Sequence, residues 1–274
     1  MTHRFISYGG GVQSTAMVVL ATQGRISGVE AALFSNVGDD SENPVTNKYV
    51  REVITPWAAE RGLPVLELHR TLKTGETQTL WQRIMDYDGD KLREPIPVYG
   101  WSGAPMSRSC TADHKIKVLA KYTKSVVPKE EWPIEMCIGI STDEIQRANK
   151  GKNEKWEERI YPLLDLGFSR TDCVNVIKDA GLPVPPKSSC FFCPFHSVLA
   201  WSELRRDNPQ LFERAAQLED KLNERRDNRG MQRVFLTRKG QPIRQAISPA
   251  EDTLFNTLDG VFNDGGCDEG YCWV

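Results

Sequence analysis

The spacing of apolar positions switches repeatedly along the first part of the chain. Arg4 to Tyr8 (RFISY) reads as a short strand that runs straight into Gly9, Gly10 and Gly11. From Gln13 to about Thr22 the spacing becomes helical, and Gly24 ends it. Glu30 to Asn36 (EAALFSN) reads as a second strand, followed by a polar loop that starts at Gly38. Val45 to Arg61 carries Val50, Val53, Ile54, Trp57 and Ala58 at the spacing of an amphipathic helix, with Gly62 as its stop. Pro64 to Leu68 is a third strand. This alternation predicts an α/β fold with a parallel twisted sheet flanked by helices.

Beyond residue 70 the regularity weakens. Short helices are expected at Trp81–Met85 and Asp113–Thr123, a loop at 95–105, and a further strand from Ile134 to Ser141. Arg170 to Ala180 forms a helix closed by Gly181. Two more helices follow, the second with Asn208 as N-cap and Pro209 at its first position. The pattern divides the chain into an α/β domain, 1–200, and a helical extension with a flexible tail, 201–274. No apolar run approaches the ~20 residues of a membrane span. The opening MTHRF leads into no apolar signal region, so a cytoplasmic protein with no membrane partner is expected.

The net charge of −2 is unevenly placed. Trp201 to Gln245 holds eleven Lys/Arg against seven Asp/Glu, while Ala246 to the end holds six acids and no base. A basic helical segment before an acidic tail suits an anionic partner, and equally a solvated helix face. Seven cysteines in a chain expected to stay in a reducing compartment point to metal, catalysis or packing rather than disulfides.

The stretch Ser7 to Thr15 (SYGGGVQST) lies between a predicted strand and a predicted helix. Glycines there allow close backbone approach to a phosphate, and the helix N-terminus offers unpaired N–H groups. Ser14 and Thr15 add hydroxyls. A Walker A reading fails, because no Gly-Lys-Ser/Thr closes the loop. A Rossmann reading has Gly9 and Gly11 but Ser14 in place of the third glycine, and the second strand ends in Asn36 rather than an acid. The pyrophosphate loop of ATP pyrophosphatases, Ser-Gly-Gly-x-Asp-Ser, is matched at Gly10, Gly11, Val12 and Ser14, with Gln13 replacing its aspartate. A side chain at Gly10 is expected to block a nucleotide while sparing the fold.

Cys190-Phe-Phe-Cys193 is a spacing that presents two thiolates to one metal or cluster. Cys137, mid-strand, and Cys173, on the apolar side of a helix, read as core residues. His114 and Lys115 are candidates for balancing an anion, or else solvated helix positions. Arg147 is a candidate phosphate partner, with an ion pair to Glu144 or Asp143 as its rival.

Several of these stretches together resemble the phosphoadenylyl-sulfate (PAPS) reductase-like family of the adenine nucleotide alpha-hydrolase, or PP-loop, superfamily. Ser7, Tyr8, Gly9 and Gln13 resemble its Ser-Phe-Gly-x-Gln loop. SRSCTADHKIKVL places Cys110 and Lys115 at the first cysteine and the lysine of a Cys-Cys-x-x-x-Lys pattern, with Thr111 at the second cysteine. Gly139 to Arg147, Tyr161 to Asp165 and Ser169 to Asp172 resemble further segments, so the likeness spans residues 4–196. It implies an adenine nucleotide-binding fold, with Ser7, Gly9, Gly10, Gly11, Gln13, Ser14, Thr15, Asn36, Gly38 and Arg147 at the nucleotide. It also implies a [4Fe–4S] cluster with three of the usual four cysteines: Cys110, Cys190 and Cys193. One iron would then be open or ligated from elsewhere. Structural zinc on Cys110, Cys190, Cys193 and His196 is one alternative, and free thiols are the other.

The resemblance implies sulfur chemistry on an adenine nucleotide, with ATP or a sulfonucleotide bound and magnesium as an accessory. One route adenylates a substrate oxygen that sulfur then replaces, the acceptor being a nucleic acid or a small molecule. Lys115 and the tail cysteines Cys267 and Cys272 are its catalytic candidates. The alternative is a reductase in which a C-terminal thiol attacks the sulfonucleotide and a thiol reductant restores it. A non-enzymatic reading is a nucleotide- and zinc-dependent binding module.

Overall fold

The computed structural model describes residues 2–87, 94–148 and 154–247. Five strands form one parallel sheet: β1 (Arg4–Tyr8), β2 (Val29–Asn36), β3 (Val65–His69), β4 (Ile134–Cys137) and β5 (Glu157–Ile160). Their order is β3-β2-β1-β4-β5. The chain builds outward from β1 on one side, then returns to place β4 and β5 on the other. That reversal opens a crevice beyond the carboxyl ends of β1 and β4, where open parallel sheets bind their ligands.

Alternation along the strands sends side chains to two covered faces. Ile6, Tyr8, Ala32, Phe34 and Cys137 share one apolar cluster with α1 (Val12–Thr22), the helical stretch 44–59 and the helix Arg170–Asp179. Cys173 lies in the same cluster, so both cysteines read as core residues are core residues. Phe5, Ala31, Leu33 and Met136 face the other way and meet Leu119 of the helix Lys117–Val126. Each such large apolar side chain, fully buried, contributes roughly 1.5–3 kcal/mol.

A third cluster joins Val37, Leu80, Ile96, Phe191 and Phe192 to Trp201, Phe212, Leu218 and Leu236. The helical extension beyond residue 200 is therefore packed on the loops at the carboxyl edge of the sheet. Its longest helix, Pro209–Asp227, begins as its sequence predicts, with the Asn208 side chain accepting the Leu211 N–H at 3.2 Å.

Local departures from the predicted elements have physical causes. The stretch 44–59 is interrupted by a π turn at Val50–Ile54. The helix ending at Val126 starts at Cys110 and contains a second π turn, Ala112–Ile116. β4 stops at Cys137, short of Ser141, where the chain runs close against the start of α1. β5 was not foreseen, because EERI offers no apolar alternation. Among the described residues no helix is long and apolar enough to cross a membrane.

Candidate functional site

The turn from β1 into α1 stands at the crevice. Gly10 adopts φ +81°, and a Cβ there would lie 2.9 Å from the Thr46 methyl, so glycine is required by backbone and neighbour alike. Substitution at Gly10 thus disturbs the fold itself, which corrects the expectation that it would be spared. Gly9 differs: a Cβ on it would meet nothing within 4 Å. Gly11 is the N-cap of α1 with no side-chain cap, and the first turn of the helix carries no acid. The helix therefore opens with N–H groups and positive dipole available to an anion. Gly139, just past β4, packs so tightly on this turn that a Cβ would lie 3.2 Å from the Ser14 nitrogen.

Polar side chains around the turn divide into two groups. Some have protein partners. The Ser14 hydroxyl donates to the Gly11 carbonyl (3.1 Å), and the Thr15 hydroxyl, wholly buried, lies 3.2 Å from the Tyr8 phenol. Asn36 donates to Asp39 and Glu67 and accepts the Gly38 N–H, so it shapes the loop after β2. Gly38, at φ +125°, has Asp40 and Thr79 too close for any side chain. Arg147 is buried and ion-paired with Glu144 at 2.7 Å, the rival foreseen for it. Others carry buried atoms with no protein partner among the described residues: Ser7 Oγ, Gln13 Nε2, Thr46 Oγ1 and Asn47 Oδ1. Buried polar atoms are ordinarily satisfied, so several orphans on and near a glycine turn suit a polar ligand.

Cys110, Cys190 and Cys193, drawn from two distant parts of the chain, line one cavity. It is small and opens to solvent, and Thr111, Lys115 and Arg108 also line it. At 3.6 residues per turn, Cys110 and Lys115 would point roughly 140° apart. The π turn between them, bonded i to i+5, brings both to the same side. Lys115 and Arg108 supply the positive surroundings that favour thiolates. The soft sulfur donors and the largely apolar walls suit an iron–sulfur cluster or zinc. Among the described residues, however, no three His, Cys, Asp or Glu converge on a single point as one ion requires. His196 hydrogen-bonds through Nε2 to the Cys190 carbonyl (2.9 Å) and packs edge-on against Trp201; burial pulls its ring down to about 4, so it is neutral at pH 7. None of the five described cysteines is disulfide-bonded.

Below the cavity, His114 is almost fully buried and its Nε2 accepts from Arg70 at 3.1 Å. Burial, then the Arg70 and Arg83 guanidiniums, pull it down to about 3. Arg83 pairs with Asp113 at 2.7 Å.

The two parts of the site are physically joined. Ser188 donates its hydroxyl to the Gly9 carbonyl, Asn43 N–H bonds the Ser189 carbonyl, and Phe191 N–H bonds the Ser41 carbonyl. Glu42 and Cys190 form an isolated β-bridge. The Glu42 carboxyl is 1% exposed; burial raises its pKa, while the nearby Lys115 charge acts against that rise. Arg170 reaches back from the start of its helix to hold the Gln13 carbonyl oxygen at 3.1 Å. Ser188, Glu42 and Arg170 were not singled out from the sequence. Their only local signal was the Ser169–Asp172 capping box, which fixes where the Arg170 helix starts. Cys267 and Cys272 lie outside the described residues.

No protein-family model and no curated protein matches this chain.

Proposed function

We propose that the chain is an adenine-nucleotide-dependent sulfur-transfer enzyme that carries an iron–sulfur cluster and works in the cytoplasm. The observation that carries this reading is the shared cavity: three cysteines and Lys115 line it, and the segment bearing Cys190 and Cys193 is tied directly to the glycine turn. ATP lies with its phosphates against Gly9–Gly11 and the first turn of α1, where the orphaned Ser7 and Gln13 atoms find partners. Arg170 holds the Gln13 carbonyl oxygen, which leaves the unpartnered amide nitrogen to donate to the ligand.

In the reaction, a carbonyl-type oxygen of the acceptor attacks the α-phosphorus of ATP, and pyrophosphate leaves. Hydrosulfide then adds at the activated carbon, loses its proton, and the carbon–oxygen bond breaks to release AMP. No electrons are transferred. The Lys115 ammonium, on the cavity wall, stabilises negative charge on the reacting atoms. A cluster held by Cys110, Cys190 and Cys193 would supply an iron site able to bind a sulfur atom.

Anaerobic purification with iron, sulfide and zinc analysis tests the reading. Brown protein with about four irons and about four sulfides per chain is expected. Cys110→Ala, Cys190→Ala and Cys193→Ala should each lose them, and Cys137→Ala should not. Colourless protein holding one tight zinc would overturn it.

A further inference from the structure

Two segments, 95–112 and 180–202, line the cysteine cavity, and a third, 228–247, pairs with the first of them. Residues 95–112, 180–202 and 228–247 contain seven Lys or Arg and not one Asp or Glu. Acids stand immediately outside these stretches, at Glu94, Asp113, Asp179, Glu203 and Asp227. Two of the segments are bound together: Tyr99 and Phe235 exchange backbone hydrogen bonds, each 2.8 Å. The tight turn at Gly103, φ +69°, sits so close that a Cβ would press to 3.1 Å on the Arg238 carbonyl.

This arrangement displays an aromatic ring. Trp101 is 62% exposed and rests edge-on against Phe235 at 4.9 Å between ring centres. Met106, 42% exposed, lies on the same loop. A tryptophan packed on Phe235 yet open to water leaves ring surface exposed. From it a line of contacts leads inward. Arg238 lies over Tyr99 at 5.7 Å, Tyr99 touches Phe195 at 6.5 Å, and Arg108 lies over Phe195 at 5.3 Å. Phe195 and Arg108 are cavity wall. Arg233 and Arg244 are ion-paired with Asp227 and with Glu213 and Asp220, whereas exposed Arg238 has no carboxylate partner among the described residues.

We infer that this face binds single-stranded nucleic acid, stacking one base on Trp101 and holding phosphates at Arg238 and Arg108, so that a neighbouring base enters the cavity. A polyanion matches the line of Arg238 and Arg108 leading to the cavity, and stacking on an exposed aromatic beside basic side chains is how single strands are held without sequence preference. A base stacked inside a duplex cannot reach the cavity without being flipped out at a cost, which an unpaired strand does not incur. The inference rests on the proposed sulfur transfer, of which the strand would be the acceptor.

The test is fluorescence anisotropy with the full chain and labelled oligothymidylate and oligouridylate of about twelve nucleotides. Binding should weaken steeply with salt. Trp101→Ala should weaken it about tenfold or more, Trp101→Phe much less. Arg238→Ala should weaken it and lower the salt slope by about one. Thermal melting confirms that each variant is folded. Equal binding by Trp101→Ala, or equal affinity for a duplex of the same length, overturns the inference. So does a synthetic peptide of residues 251–274 binding this face while the oligonucleotides do not. Binding needs neither ATP nor a cluster, so iron-free protein that still holds the strand sinks the sulfur-transfer reading alone.

Discussion

Ser188 donates its hydroxyl to the carbonyl of Gly9, a residue 179 positions away. This bond fastens the segment bearing Cys190 and Cys193 to the turn at the head of β1. Ser188→Ala removes the donor and leaves the buried arrangement one bond short, a loss of about 1 kcal/mol. Urea titration should show that loss. Calorimetry should show ATP affinity reduced several-fold, with iron per chain unchanged. Unaltered ATP affinity would mean that the segment does not shape the turn.

Gly9 and Gly10 should respond oppositely to the same substitution. Gly10→Ala forces a left-handed backbone on a residue with a side chain and drives Cβ against Thr46, costing about 1–2 kcal/mol or more. Gly9→Ala meets open space and should keep wild-type stability. Its methyl group would stand where the phosphates approach, so ATP binding should fall at least tenfold. Full ATP binding by stable Gly9→Ala would place the nucleotide elsewhere.

His114 makes the protein sensitive to acid. Its unfolded pKa is about 6.5, and the folded ring is pulled down to about 3 by burial and then by Arg70 and Arg83. Because the unfolded chain takes up the proton first, this contribution is complete above the unfolded value and is lost as pH falls from there toward the folded one. Wild type minus His114→Gln, compared by urea titration, should lose about 1 kcal/mol per pH unit between about pH 6 and pH 4. A difference that stays flat with pH would show that His114 is protonated in the fold.

Much of the sheet was legible in the sequence because β1 to β3 and α1 are short, apolar and separated by glycines. The charged edge strand Glu157–Ile160 was not, since its backbone pairs with β4 while its side chains carry no pattern. Spacing alone identified Cys190 and Cys193 as a pair. Their meeting with Cys110 came from the family resemblance, and the common cavity from the fold. The placement of Lys115 beside Cys110 depends on a π turn, which a 3.6-residue period cannot express. Arg170 and Ser188 act on residues 157 and 179 positions away, so their partners could not be read from their own neighbourhoods.

Cys267 and Cys272 give the last prediction. Removing residues 264–274 should leave ATP affinity and iron content as they were and abolish sulfur transfer to the acceptor, measured by release of AMP and incorporation of labelled sulfide. A truncated chain with full turnover would relieve both tail cysteines of any part in the reaction.

The segment from Ser188 to Cys193 touches both the glycine turn and the cavity, so a nucleotide and a cluster bound there as proposed would be linked wherever one shifts that segment for the other. Whatever factor cluster loading contributes to nucleotide affinity, nucleotide binding must return to cluster retention, because a coupling free energy has one value in both directions. A tenfold effect is about 1.4 kcal/mol. Iron release to a chelator, followed with and without ATP, would then report on the nucleotide site, and the nucleotide would act as a guard on its neighbour's metal.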